Sequence, residues 1–556
     1  MLILKFVVPT IMKSDVFNFL VLGAGAAGCA VASRLAAKHP DASIALLEIG
    51  SRRYTPSVMR IPFLQPFITQ WPGSWRFLHR YAGVPEDNLG GRSLTYVRGR
   101  GLGGSTLCND MTYRRGSAED FAAWGDDAWT FAKMLPFFTS LECNSRSTSP
   151  VHGDAGPIVV SDLSLSNLDS QLNIRFFEAC EAAGLRPNED LNGGLVDGFS
   201  AYQSLIDRGV RVDLFDACIE KCKHLTPHLS LWSNTNVERI TFDDTNRTQV
   251  TGVEVRRGGV RRWIKSPRII VCLGAIGSPA LLLRSGIGPQ GSVVDLPEVG
   301  QNLIQGCTAD LIFLIQGGEK RIRSKSFNWT NLPYIWGQWK EYNEDRAGIL
   351  SSFAEAVAYV RSQPTQNPAD LSIAFFRTPQ LGWRNGVRLR PHEGFTLRIT
   401  HHYPQSRGEV RLHPRTGKIQ VRSGMLSEKD DVLCMDMGIQ WAGLLVAKNS
   451  NLRSVYYTDN QDQHVGPFAA LDVRLVHPSR GMNTQKETAA FLGKFSTGSE
   501  DLFGTCALQH VVDSQMKVQG IEGLWVADAS VVPLPTTASS SVLGAAIGAR
   551  VATLIA

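Results

Sequence analysis

The apolar positions of this chain fall into two patterns. Short apolar runs occur at 19–22 (Phe-Leu-Val-Leu), 44–47 (Ile-Ala-Leu-Leu), 268–273 (Arg268, then Ile-Ile-Val-Cys-Leu) and 523–527 (Gly523, then Leu-Trp-Val-Ala). Runs of this length predict strands buried on both faces, as in a parallel sheet flanked by helices. Between the first two, 30–37 has helical composition, and 541–555 reads as a C-terminal helix rich in small residues. Elsewhere apolar and polar residues alternate. The stretches 397–402 and 408–412 predict strands with one covered face, and 229–232 with 251–255 suggest a β-meander. The expected fold class is α/β with an α+β admixture. A Rossmann-like unit is expected from 17–157, 226–306 and 496–556. A second unit, an antiparallel sheet built from 158–225 and 307–495, is expected to roof it.

The first apolar run leads into Gly-Ala-Gly-Ala-Ala-Gly, and the second ends at Glu48. Gly23, Gly25 and Gly28 form the spacing G-x-G-x-x-G in the strand–turn–helix–strand context of a dinucleotide fingerprint. Gly23 permits the tight turn, Gly25 and Ala26 let a pyrophosphate approach the backbone, and Gly28 lets helix and strand pack closely. The helix N-terminus offers N–H donors to the phosphates. Glu48 accepts hydrogen bonds from an adenosine ribose and disfavours a 2′-phosphate.

Bulk properties narrow the classes. At 556 residues the chain exceeds one simple core, and 43% hydrophobic with 19% charged residues describes an ordinary globular protein. The formal charge of +6 comes from 57 basic against 51 acidic residues without a long basic block, so nucleic acid is not an expected partner. The ten cysteines include no C-x-x-C pair. They read as free thiols in a reducing compartment, which points to the cytoplasm with peripheral membrane association left open. Cys218, Cys222, His224 and His228 cluster in sequence, but Pro227 interrupts them and the spacing matches no standard zinc module. No metal site is expected. The apolar stretch 2–8 is too short to span a membrane and reads as an extra β-segment, or as untranslated sequence if Met12 is the start. No other segment reads as a membrane span.

Further motifs carry a resemblance. The stretch Gly99-Arg-Gly-Leu-Gly-Gly-Ser-Thr-Leu-Cys-Asn-Asp-Met-Thr-Tyr-Arg-Arg-Gly116 is followed by Gly274-Ala-Ile-Gly-Ser-Pro-Ala-Leu-Leu-Leu-Arg-Ser-Gly-Ile-Gly288 and Leu296-Pro-Glu-Val-Gly-Gln-Asn-Leu303. Then come Pro404-Gln-Ser-Arg-Gly-Glu-Val410, Gly504-Thr-Cys506 and a C-terminal block from Gly523 to Ser530. In this order, from about Phe17 to Ile555, the chain resembles the glucose–methanol–choline (GMC) family of flavin oxidoreductases. Around 117–124 and 207–214 it looks most like the branch holding alcohol dehydrogenases, choline dehydrogenases and fatty-acid photodecarboxylases. The resemblance implies bound FAD. It implies flavin contacts at Gly104, Ser105 and Asn109 and adenine-side contacts at Val237 and Ala275. It places Asp528 and Ala529 at the ribityl chain and pyrophosphate.

The resemblance also implies oxidation of a CH–OH group by hydride transfer to flavin, with a histidine taking the hydroxyl proton three residues before Gly-Thr-Cys. Here that position is Asp501, and no histidine lies between His477 and His510. The second family position, a His or Asn near the start of the last helix, falls at Ser541. Three readings stay open. Asp501 or Glu500 acts as base with Ser541 holding the substrate oxygen. Alternatively a roof-sheet histidine takes over: alternation points only one of His401 and His402 inward, with His402 the better match, and His510 is a further option. Or the hydride chemistry has been replaced by a lyase or decarboxylase reaction on the same flavin. The Glu500-Asp501 pair favours a neutral or cationic small-molecule substrate. Oxygen or a quinone-like carrier is the expected electron acceptor. Trp329, Trp336 and Trp339 hint at aromatic pocket walls.

Overall fold

Phe19–Leu22, Ile44–Leu47 and Ile269–Val271 are buried at every position, as unbroken apolar runs require. In the computed structural model they join Leu229–Trp232 and Leu524–Val526 in one five-stranded sheet. The model describes residues 15–555 apart from 53–56, 70–71, 147–148, 164–169, 225, 317–323, 325–331, 382–387, 390–392, 447–466, 469–470, 472, 480–481 and 483. The stretch 2–8 and Trp329 lie outside the described residues. The sheet order is Leu229–Trp232, Ile44–Leu47, Phe19–Leu22, Ile269–Val271, Leu524–Val526, with every neighbour parallel. Numbered along the chain this is 3-2-1-4-5, the Rossmann order. Its strand sequence reverses between Phe19–Leu22 and Ile269–Val271, and ligands bind at the carboxyl ends beside that reversal. Leu229–Trp232 is therefore the edge of the parallel sheet and not part of a meander. The meander is Thr235–Phe242, Val250–Arg257 and Val260–Lys265.

The helix Ala26–Lys38 follows the first strand, and the C-terminal helix Ser540–Leu554 packs against it. Gly23 takes a left-handed φ of 101° to make the turn. A Cβ at Gly28 would stand 1.8 Å from the Gly23 carbonyl oxygen, so only glycine lets the helix start that close to the strand.

A second sheet holds the antiparallel strands. Its order is Val473–His477, Cys307–Ile315, Gly394–His401, Leu371–Phe376, Ala356–Val360, Gly198–Ala201, with Thr497–Gly498 added beside Cys307–Ile315. The helix Lys429–Val446 covers one face, where Gly438 meets Ile399. The strand Glu409–Leu412, expected in this roof, instead pairs with Ile419–Arg422, and the two extend the hairpin Leu78–Glu86 and Arg92–Gly99. Two large apolar cores result, one around each main sheet. Trp336 and Trp339 are 73% and 39% exposed, so these two do not wall a buried pocket. Among the described residues no helix is long and apolar enough to cross a membrane.

Candidate active site

A cavity of about 630 Å³ opens at the carboxyl edge of the parallel sheet. Gly23, Gly25, Ala26 and Glu48 line it from the first βαβ unit, and Gly104 and Ser105 from the second glycine-rich turn. Val237, Ala275, Asp528, Ala529 and Ser541 close its other sides. Two further residues of the cofactor set stand beside the groove. Gly28 sits beneath the groove at the helix–strand contact. Asn109 lines a small adjoining cavity of about 50 Å³ together with Ser105, Glu500, Asp501 and Ser541.

The groove suits a dinucleotide in three ways. The helix Ala26–Lys38 begins at Gly25 with no side-chain cap and no acidic residue in its first turn, so its N–H donors remain for an anion. A Cβ on Gly104 would come within 2.6 Å of the Gly25 Cα, so the two glycine turns can meet only without side chains. Arg100 lines the groove with its Nε buried and unpartnered. Arg98, Arg284 and Lys418 add further positive charge along the walls. Arg98 and Arg100 flank Gly99 in the second glycine motif, and reading that motif for its glycines alone passes over them.

Glu48 is buried and accepts from the Ala24 and Gly50 amides at 3.1 and 2.9 Å. Burial pushes its carboxyl above the usual range, against the pull of those two amides. Asp528 is also tied down. It accepts from Gly274 N at 2.9 Å, Ser278 Oγ at 2.6 Å and Ser530 N at 2.8 Å, and so joins the Ile269–Val271 and Leu524–Val526 strand ends.

Beyond the small cavity lies a third, of about 80 Å³, between the antiparallel sheet and the loop carrying Asp501. Glu500 and Asp501 line both, so they stand where the roof cavity reaches toward the groove. Arg114 Nη2 donates to Asp501 Oδ2 at 2.5 Å, and Asp501 Oδ1 accepts from Ser540 N at 2.6 Å. Asp501 thereby caps the first turn of the C-terminal helix while holding a cation. Arg114 is fixed further by Thr537 O at 3.0 Å and Thr112 Oγ1 at 3.3 Å. Burial works against its charge, but Asp501 and then Tyr359 outweigh that and hold the guanidinium above its ordinary pKa. Arg114 was missed by sequence reasoning because its partner lies 387 positions away.

His402 faces the roof cavity, as do Ser372 and Arg398. Its Nε2 lies 2.8 Å from Ser372 Oγ. Burial first, then the nearby Arg114 charge, holds its pKa well below the usual imidazole value, so it is neutral. His401 lines the same cavity and also reaches the covering helix, where one of its ring nitrogens lies near Cys434. His510 is exposed and borders none of the three cavities. Ser541 Oγ accepts from Asn109 Nδ2 at 3.4 Å, which leaves the serine proton free to donate. Asn109 Oδ1 in turn accepts from the buried Arg211 at 2.8 Å.

A doubly wound parallel sheet with a glycine-lined groove, roofed by an antiparallel sheet, defines a dinucleotide-binding oxidoreductase architecture. Sequence comparison then fixes the family. The profiles of the N- and C-terminal parts of GMC oxidoreductases match 17–307 and 404–548, and the chain belongs to that family. It is an FAD-dependent oxidoreductase. It is similar to an oxygen-dependent choline dehydrogenase of Sinorhizobium fredii, 29% identical over 93% of this chain and 91% of the relative. An alcohol dehydrogenase [acceptor] of Pseudomonas putida is 27% identical over the same shares. Among solved structures, pyridoxine 4-oxidase from Mesorbium loti superposes with a TM-score of 0.81 at 23% identity, covering 97% of this chain and 99% of that one. A formate oxidase gives 0.82 at 22% identity, covering 98% of both. At these identities the two structures speak to the fold.

Proposed function

We propose that this protein oxidises the CH–OH group of a neutral or cationic small molecule, with Asp501 as its base and Arg114 as hydrogen-bond donor to the substrate oxygen. The observation that carries this is the 2.5 Å ion pair at the junction of roof cavity and groove. The alcohol and choline dehydrogenase relatives support the donor class. When bound, FAD supplies the acceptor for a hydride leaving carbon.

The chain's own residues then have separable tasks. Gly23, Gly25, Ala26, Gly104 and Ser105 cradle the diphosphate and ring by backbone approach, with Gly28 keeping the first turn tight. Glu48 and Val237 hold the adenosine end, and Ala275, Asp528 and Ala529 shape the middle. Asp501 takes the hydroxyl proton of the substrate, and Arg114 donates a hydrogen bond to the same oxygen as it becomes a carbonyl. Charge developing on that oxygen meets a preorganised cation, which lowers the barrier without reorganisation. Ser541, oriented by Asn109, donates to the oxygen from the helix side. Neutral His402 and Ser372 form a polar wall that orients the rest of the substrate. Asp110 and Glu500 add negative charge to the roof cavity, which repels carboxylates and favours cations. Oxygen or a quinone-like carrier completes the cycle. The unit boundaries at 17–157, 226–306 and 496–556, against 158–225 and 307–495, belong to the same reading, as does a cytoplasmic location.

The test is anaerobic mixing of the purified flavoprotein with a panel of primary alcohols and amino alcohols. Bleaching of the oxidised flavin by at least one neutral or cationic alcohol is expected. Turnover of substrate without net flavin reduction would favour lyase chemistry and overturn the reading.

A further inference from the structure

Both histidines at the end of the strand Gly394–His401 border the roof cavity. His401 also reaches the covering helix, with 4% exposure and a Nδ1 that has no hydrogen-bond partner. One of its ring nitrogens, a carboxylate oxygen of Asp370 and the Sγ of Cys434 all lie within 4.8 Å of one another. Asp431 brings a second carboxylate, with Oδ1 3.9 Å from His401 Nδ1. All four residues are buried. Among the described residues, His401 is the only basic side chain within 4.0 Å of either carboxylate. A buried imidazole nitrogen without a partner is costly, whereas both carboxylates already have donors, Asp370 from Ser362 and Asp431 from the Gln405 and Ser406 amides at 2.8 and 2.9 Å, but no fixed cation.

One divalent ion gives the imidazole nitrogen a partner and the carboxylates a cation. We propose that Asp370, His401 and Cys434 bind a zinc-type transition-metal ion, with Asp431 as the nearest further oxygen donor. A thiolate, an imidazole and a carboxylate form a mixed borderline-soft set that suits zinc, whereas magnesium and calcium take oxygen alone. Without the ion, the Cys434 thiol donates to Asp370 Oδ2 at 3.4 Å. On binding, the ion takes the place of that thiol proton, which leaves to solvent, and the sulfur lone pair forms the metal bond. Ser362 already orients the carboxylate, donating its backbone amide to Asp370 Oδ1 at 2.8 Å and its hydroxyl to Oδ2. That is the kind of supporting shell metal ligands use. The ion would pin the end of a central roof strand to its covering helix, and so fix the turn that sends His402 into the cavity. The sequence carries no signature of it, because the three ligands are more than thirty positions apart in each step.

The site is independent of the proposed alcohol chemistry and is read by metal content. The full-length flavoprotein is incubated with zinc chloride, desalted, and measured by elemental analysis and zinc K-edge absorption. About one zinc per chain is expected, with one sulfur scatterer at ~2.3 Å. Cys434→Ser should remove the sulfur signal and lower retained zinc by more than about tenfold, while Cys180→Ser, at another buried thiol, should not. FAD content reports folding in each variant. If Cys434→Ser fails to fold, the wild-type spectrum decides alone. Wild-type protein that retains no zinc, zinc without a sulfur ligand, or full retention in folded Cys434→Ser would each overturn the site.

Discussion

Arg114 and Arg115 are neighbours in sequence, and both pair with a carboxylate, yet they serve opposite ends. Arg115 is fully buried and sealed within its own network. It binds Glu142, donates to Tyr113 Oη at 3.1 Å and Val151 O at 2.7 Å, and lies 3.0 Å from His152 Nδ1. His152 in turn reaches Asp190 at 3.0 Å. Arg114 and Asp501 keep 15% and 17% of their side chains exposed, and both line the roof cavity. A closed pair has no atom left to offer and can act only on stability. An open pair at a cavity edge can give a hydrogen bond and take a proton. The backbone alternates between the two, so one motif supplies both a fastening and a reactive edge.

The contrast breaks most sharply at Asp501. Asp501→Asn keeps an acceptor for Ser540 N but loses the charge and the basic oxygen. Hydride transfer should slow by roughly 10²–10⁴-fold in anaerobic stopped-flow, with flavin still bound. Unchanged reduction would remove Asp501 from the chemistry.

Glu142→Ala is the mirror experiment. It strands a buried guanidinium and should cost about 3–5 kcal/mol of stability by denaturant titration. The folded fraction should reduce flavin at the wild-type rate. A large loss of that rate with stability intact would erase the distinction between the two pairs.

Acid sharpens it further. Burial pushes the Glu142 carboxyl up, but His152, Arg115 and Asn144 outweigh it and hold the pKa down at about 2, against an ordinary 4.5. A carboxylate depressed on folding contributes stability above its ordinary value and loses it as pH falls through the folded one. Stability from this network should therefore decline between roughly pH 4.5 and 2, by at most about 3 kcal/mol, and Glu142→Gln should flatten that limb in urea titrations across the range. His152 runs the other way. Burial lowers its pKa, but Asp190 and Glu142 raise it further, so its share is present at low pH and fades as pH rises past the folded value.

The smallest effect belongs to His402. As a wall of the cavity, His402→Gln should raise KM several-fold and change the reduction rate by less than about tenfold. A loss matching that of Asp501→Asn would transfer the base to the roof sheet.

Local signals carried much of this molecule. The apolar runs at 19–22, 44–47, 268–273 and 523–527 are strands of the parallel sheet, and the glycine spacing marked the turn that Gly23 makes. These features depend on φ, ψ and side-chain period, which neighbours along the chain impose. Alternation predicted one of His401 and His402 inward, whereas both border the roof cavity, because the strand ends there. Leu229–Trp232 was legible as a strand but not as the sheet's edge, and Glu409–Leu412 paired with the Leu78–Glu86 hairpin sheet rather than the roof. Strand type is a local property, whereas partner choice is settled by which surfaces bury together. The Arg114–Asp501 pair illustrates the limit. Nothing near either residue announces the other, and their contact exists only because the loop before Gly504 meets the end of the second glycine motif at the roof cavity. The sequence by itself determined the strands, the turns and the cofactor cradle. The tertiary structure alone decided which charges meet, because an ion pair depends on distance in space and the chain encodes only distance along itself.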